Sequence, residues 1–361
     1  MEKMRIGMMG GWNTDSGASF LAELIGRAWV EESHELTVFT FYDYAFHGTQ
    51  IIGIDEDYVI RCFTVSGYTP DKLNPVPFLT SAYDIFVVQD LGMLPKDLLG
   101  KIFHRIKKKA KTVNVIHDGK LSEDPAFYQF DWDALVCFDE RYKNFLVKVY
   151  DREKTHIIPY PCSPLAKGDK VEARKNLDLP LEKKIVFGFG PAAKTAIEVV
   201  PTIAELSRDY PILLLVTTKD KTGIQEFRKL QKQGIMEIEL VEEAPDIKRL
   251  YDYLHASDAL IFNKKSASHV VVSSTVLQCL GSGCPIVARD SNYVEYLDKE
   301  VMKYTGEEEL KKKLCAIFDE SKEYKTTMKA AEEYVKRNSA QAIGKLYIDL
   351  FNSLLTKVKN E

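Results

Sequence analysis

At 361 residues, the chain is longer than a single hydrophobic core usually grows. Its 49 basic and 53 acidic side chains leave a formal charge of −4, with no excess that would draw it to nucleic acid. The content of 45% hydrophobic and 28% charged residues is that of a globular protein, and no apolar run approaches the ~20 residues of a membrane-spanning helix.

The opening MEKMRIGMMGG enters a strand at once, without the apolar core of a signal peptide. Cysteines 62, 137, 162, 279, 284 and 315 include no Cys-x-x-Cys pair, which fits a reducing compartment. A cytoplasmic location is therefore expected, with peripheral contact at the inner face of the membrane left open. Lys107, Lys108, Lys109 and Lys111 form a local basic run that reads either as a solvated helix end or as a contact for phosphate or lipid.

Met4 to Met9 reads as a strand, residues 16–31 as a helix and Glu35 to Phe41 as the next strand, a βαβ beginning. Apolar runs follow at 84–89, 112–117, 134–138 and 156–160, with helical patterns at 95–109 and 139–150. Continuous apolar strands covered by helices predict a parallel sheet. Residues 161–182, PCSPLAKGDKVEARKNLDLPLE, have the composition of an exposed connection with one short helix.

The alternation then restarts. Strands are expected at 184–187, 212–216, 236–240, 259–262 and 286–288, and helices at 194–208, 222–233 and 246–256 and within 273–285. Lys/Glu-rich helices fill the chain from Glu307. The predicted class is α/β, with two Rossmann-like doubly wound parallel-sheet domains facing a cleft. The first spans 1–165, the second 166–335, and a last helix over 336–361 returns to the first.

Open α/β sheets bind ligands at the carboxyl ends of their strands, so four pieces at strand ends are candidates. In GGWNTDSGASF, Gly10, Gly11 and Gly17 leave backbone N–H groups at a helix start for an anion, or simply form a turn and cap. Gly-x-Gly-x-x-Gly is absent, which argues against a nicotinamide dehydrogenase. In VNVIHDGK, His117 beside Asp118 is placed to hold a sugar hydroxyl or tune a proton transfer, or is structural. In VFGFGPAAKT, Gly190 ends a strand and Lys194 stands early in the expected helix. There it opposes the helix dipole unless a phosphate partners it; the alternative is a snorkelling surface lysine. In SSTVLQCLGSGCPIVA, Ser273, Ser274 and Thr275 offer hydroxyls at a helix start, as caps or as part of a diphosphate site.

With these pieces in place, the chain resembles the GT-B glycosyltransferases. The likeness is to the large retaining group of the family 4 type, which includes glycogen synthase, sucrose synthase and bacterial phosphatidylinositol mannosyltransferases. It rests on the opening through Thr40, on REKTHIIPYPCSP, on KKIVFGFGPAAK, and on LYDYLHASDALIF followed by SSTVLQCLGSGCPIVA, with its helix ending in Gly-x-Pro before an apolar strand.

The resemblance implies a UDP-, GDP- or ADP-hexose donor on the second domain and a sugar or lipid-linked acceptor on the first, with no cofactor and no obligatory metal. By position, Gly17 would approach the phosphates, His117 would contact the transferred sugar or aid the reaction, and Lys194 would neutralise the leaving diphosphate, with Gly190, Ser273, Ser274 and Thr275 around it. The family's two glutamates, separated by seven intervening residues, are replaced here by Val270 and Gln278; His269 stands next to the first of these positions, and Pro191 takes the place of a common arginine. Gln278 can still hydrogen-bond a ribose. A hexosyltransferase is the first reading. A catalytically weak or inactive GT-B protein that binds a sugar nucleotide or assists a partner transferase is the second, and a sugar-nucleotide epimerase, which needs more cleft carboxylates than the sequence reveals, is the third.

Overall fold

The structure, a computed structural model, describes residues 3–43 and 51–357. The chain forms two compact units. Unit 1 comprises Met1–Pro161, His269–Ser274 and Asn338–Glu361, and unit 2 comprises Cys162–Ser268 and Thr275–Arg337.

In unit 1 the strands are β1 (Arg5–Met9), β2 (Glu35–Phe41), β3 (Val59–Phe63), β4 (Ile85–Gln89), β5 (Lys111–Val115), β6 (Ala134–Cys137) and β7 (Thr155–Ile157). They form one sheet in the order β3-β2-β1-β4-β5-β6-β7, and every pairing is parallel. The helices are α1 (Gly17–Glu31), α2 (Pro75–Thr80), α3 (Lys96–Lys107) and α4 (Glu140–Leu146). Central β4, IFVVQ, is buried at all five positions, as expected of a parallel strand covered on both faces. Strand β3 escaped the sequence pattern because Arg61 interrupts it. At this sheet edge the guanidinium reaches out to Asp55 at 2.7 Å and donates to the Phe41 carbonyl at 2.8 Å.

Unit 2 begins with α5 (Lys170–Asn176), then alternates β8 (Lys184–Phe189), α6 (Val200–Leu206), β9 (Ile212–Thr217), α7 (Lys221–Gln233), β10 (Glu237–Val241), α8 (Ile247–Ala256), β11 (Ala259–Phe262), α9 (Ser274–Leu280) and β12 (Ile286–Arg289). It ends with β13 (Met302–Tyr304), α10 (Glu307–Phe318) and α11 (Lys322–Arg337). The order β10-β9-β8-β11-β12-β13 is again wholly parallel. The two parallel-sheet α/β domains read from the sequence are thus present.

Helix α5 is fastened to unit 2 by Arg174, which is buried. Its guanidinium donates to Asp258 at 2.7 Å and to the carbonyls of Ala256, Leu181 and Lys183. The last helix, α12 (Ala340–Lys357), belongs to unit 1. It packs on α1, where Trp29 donates to the Gly344 carbonyl at 3.1 Å and meets Tyr347 and Phe351 edge-on.

One predicted helix is corrected. In place of a single helix over 194–208, 3-10 turns run over Pro191–Val199 and an α-helix only over Val200–Leu206. Pro201 lacks the N–H that would donate back into the preceding turn, so a continuous α-helix from 194 cannot form.

Candidate functional site

In each sheet the chain winds outward in one direction and then, from a neighbouring strand, in the other. The switch point falls between β1 and β4 in unit 1 and between β8 and β11 in unit 2. Ligands of open α/β sheets bind outside the carboxyl ends of the strands at such points.

At the unit 1 switch point, Gly10 follows β1 and lies against the residue that ends β4. A Cβ on Gly10 would stand 2.7 Å from the Gln89 Cβ. Ser16 caps α1 by accepting from the Ser19 N–H at 3.1 Å. The carbonyl of Gly17 accepts the Tyr160 hydroxyl, and a Cβ at position 17 would lie 2.9 Å from the Ser274 Oγ. Residue 17 is therefore small where α1 meets Ser274 of the same unit. Glu23 and Arg27 brace the same loop from α1. Glu23 accepts from the Asn13 N–H at 2.8 Å, and Arg27 binds Asn13 Oδ1 and Glu56 at 2.9 Å each.

His117 lies two residues beyond β5. Its Nε2–H donates to Gln89 Oε1 at 3.1 Å, and its ring meets Phe138 edge-on with centroids 5.2 Å apart. Burial pushes its pKa down to about 3, so the imidazole is neutral throughout the physiological range. It can hold a hydroxyl but brings no positive charge.

Beside it stands a pair of carboxylates. Asp90 follows β4 in a left-handed conformation with φ 57°, which Asp tolerates better than most residues. A Cβ built on Gly92 would be 3.2 Å from an Asp90 oxygen and 3.4 Å from both Asp118 oxygens, so the two side chains converge on one spot. Burial, with Asp118 adding to it, raises the Asp90 pKa to about 7. Burial also raises that of Asp118, while Lys96 and His269 oppose the rise.

Residues 269–274 form a strap on unit 1. The Val270 N–H donates to the Gly119 carbonyl at 3.0 Å, and Arg141, paired with Asp139 at 2.7 Å, donates to the Val271 carbonyl at 3.1 Å. Val270 is thereby held against Gly119, the residue after Asp118.

At the unit 2 switch point, the Gly190 N–H donates to the Thr217 carbonyl at 2.9 Å, and φ at Gly190 is +69°, a conformation that favours glycine. Asn263, after β11, donates to the Thr195 carbonyl at 2.8 Å and accepts the Tyr304 hydroxyl at 2.6 Å, which joins the two strand ends. Lys194 does not open an α-helix as the sequence suggested. It sits within the 3-10 turns, half exposed, 3.8 Å from Asp220, whose other task is to cap α7. A pair that long and that exposed is weak, so the ammonium is readily given up to a stronger anion.

The neighbouring Lys264 is half-buried. Its ammonium lies 4.9 Å from the Tyr293 ring and 6.0 Å from the Phe262 ring, and it has no carboxylate partner among the described residues. Burial lowers its pKa. Ser273 is buried, Ser274 and Thr275 open α9, and the carbonyl of half-buried Gln278 accepts the Tyr251 hydroxyl at 3.0 Å.

Unit 1 thus gathers Gly17, His117, Ser273 and Ser274, and unit 2 holds Gly190, Lys194, Thr275 and Gln278. Sequence reasoning missed Asp90, Lys96 and Lys264. Asp90 carried a signal, an acid immediately after the fully buried strand IFVVQ. Lys264 carried none, because NKKSAS has the composition of a surface loop.

No protein-family model matches the chain. Among solved structures it is similar to the sucrose-phosphate synthase of Thermosynechococcus elongatus, with a TM-score of 0.69 at 14% identity over 98% of this chain and 100% of that one. Anabaena HepE in complex with UDP-glucose gives a TM-score of 0.67 at 15% identity, covering 97% of this chain and 100% of the other. A glycosyltransferase from Rickettsia africae gives 0.64 at 14%, covering 98% and 99%. At such identities the likeness establishes architecture: this chain has the GT-B fold of the glycosyltransferases.

Proposed function

We propose that the protein is a glycosyltransferase. It moves a hexose from a nucleotide-diphospho-sugar bound on unit 2 to a hydroxyl of a sugar or lipid-linked acceptor bound on unit 1, with retention and without an obligatory metal. The observation that carries this reading is the unit 2 switch point, where Lys194 and Lys264 offer cations without a strong carboxylate partner. A leaving diphosphate needs such groups, fixed in advance and partly withdrawn from water. UDP-hexoses are the first donors to test, since the Anabaena neighbour is in complex with UDP-glucose.

In this reading neutral His117 holds a hydroxyl of the transferred sugar. Asp118, beside Gly119 and the Val270 strap, supplies from unit 1 the carboxylate that Val270 does not. Asp90, with a pKa of about 7, takes or shares the acceptor proton. The Asp90–Asp118 pair also gives substance to the epimerase reading, which requires cleft carboxylates.

One experiment separates the readings: incubation with UDP-, GDP- and ADP-hexoses, with and without a cell extract supplying acceptors, followed by identification of the products. Glycosylated acceptor or slow release of free sugar and nucleotide supports transfer, whereas an intact nucleotide sugar of altered configuration supports epimerisation.

A further inference from the structure

At the opposite, amino-terminal edge of the unit 2 sheet lies a cavity of about 220 Å³ that the proposed reaction does not use. Lys184, the first residue of β8, and Asp258, immediately before β11, both line it, together with Lys170, Lys167 and Tyr324. At ~30 Å³ per water it has room for about seven, more than a bare ion needs and less than a nucleotide sugar fills.

Lys167, Lys170 and Lys184 line the cavity together with the carboxylates of Asp258 and Glu320, and Lys167 is committed to Glu332. Asp258 is already saturated, accepting from Arg174 at 2.7 Å, from the Ile185 N–H at 2.7 Å and from Lys170 at 2.8 Å, so two cations share one carboxylate. Lys184 has only the Phe318 carbonyl, at 3.2 Å, and the Phe318 ring, and no carboxylate partner among the described residues. The Tyr324 hydroxyl has no hydrogen-bond partner among them either. The Lys184 ammonium, the Lys170 N–H groups not used by Asp258 and the Tyr324 hydroxyl face one small, partly open space, an arrangement that suits a phosphate group.

We propose that this cavity binds a small phosphate-bearing anion, at a site separate from the carboxyl edge of the same sheet. The ligand is either inorganic phosphate or a compact phosphate monoester.

The test uses the full chain and follows thermal shift and calorimetry. Inorganic phosphate and glycerol 3-phosphate are titrated against chloride at matched ionic strength. Expected is a saturable rise in melting temperature with one or both phosphates, tighter with glycerol 3-phosphate if the ligand is an ester. Lys184→Met, which keeps an apolar stem against Phe318, should weaken this binding about tenfold or more, and Tyr324→Phe about threefold or more. Lys194→Ala should leave it unchanged. The proposal is overturned if neither phosphate gives a saturable shift, or if binding survives both Lys184→Met and Tyr324→Phe. It is also overturned if Lys194→Ala abolishes the effect, which would place the anion at the other edge.

Discussion

Replacing Gly119 with alanine tests the strap that holds Val270 on unit 1. A Cβ there would lie 1.7 Å from the Val270 carbonyl oxygen and 2.8 Å from its carbonyl carbon, against backbone that cannot rotate away as a side chain would. Restoring an ordinary separation requires a shift of about 1.5 Å, which breaks the Val270 N–H to Gly119 carbonyl bond and displaces His269 from Asp118. The lost bond costs about 1 kcal/mol, and forcing a methyl group into filled space typically costs ~1–3 kcal/mol, so a total of roughly 2–4 kcal/mol is expected.

For a unit of this size that lowers the melting temperature by about 4–16 °C. The neighbouring exposed Lys120→Ala should change stability by no more than ~0.5 kcal/mol. Scanning calorimetry of both variants, with donor turnover on the same samples, makes the comparison. If Gly119→Ala melts within a degree of wild type, the strap does not lie where it is described.

Three further outcomes follow from the site. Lys194→Ala and Lys264→Met should each weaken nucleotide-diphosphate binding by about 1.5–3 kcal/mol in calorimetry with little change in melting temperature, and unchanged affinity in both would remove the proposed phosphate site. His117→Ala should lower turnover more than tenfold, over ~1.4 kcal/mol of barrier, while nucleotide affinity holds; an equal loss in both would make His117 structural. Asp90 has its folded pKa raised from 3.8 to about 7, so the folded state holds an extra proton between these values, and the associated stability, complete below pH ~4, is lost as pH rises through about 7. Asp90→Asn, which suits the left-handed backbone, should therefore raise the melting temperature more at pH 8 than at pH 5. A pH-independent difference would contradict that placement.

Much of the fold was legible because its signals are local. Strand β2 spans Glu35–Phe41, the range read from the sequence, since an apolar run bounded by polar residues leaves little choice. Strand β3 was hidden by Arg61, whose partners come from outside the strand. The 3-10 turns before α6 followed from Pro201, a residue whose effect the helical periodicity alone does not register.

The site was less legible, because its decisive relations are between distant segments. The convergence of Asp90 and Asp118 depends on two strands lying side by side. The seating of Val270 on Gly119 depends on a strap that returns after some 150 residues of intervening chain. Lys264 became informative only through its two aromatic neighbours and the absence of a carboxylate partner among the described residues.

Donor turnover is the most direct measure of the central claim. Wild type, His117→Ala and Lys264→Met should be compared with UDP-, GDP- and ADP-hexoses, with nucleotide release and labelled-sugar transfer followed together. The account predicts that one donor is consumed by wild type, with sugar appearing on an acceptor or in solution, more than tenfold slower in His117→Ala and with weakened donor affinity in Lys264→Met. Tight binding of a sugar nucleotide by wild type, with neither transfer nor hydrolysis under any of these conditions, would contradict it and leave a GT-B protein that binds its ligand without turning it over.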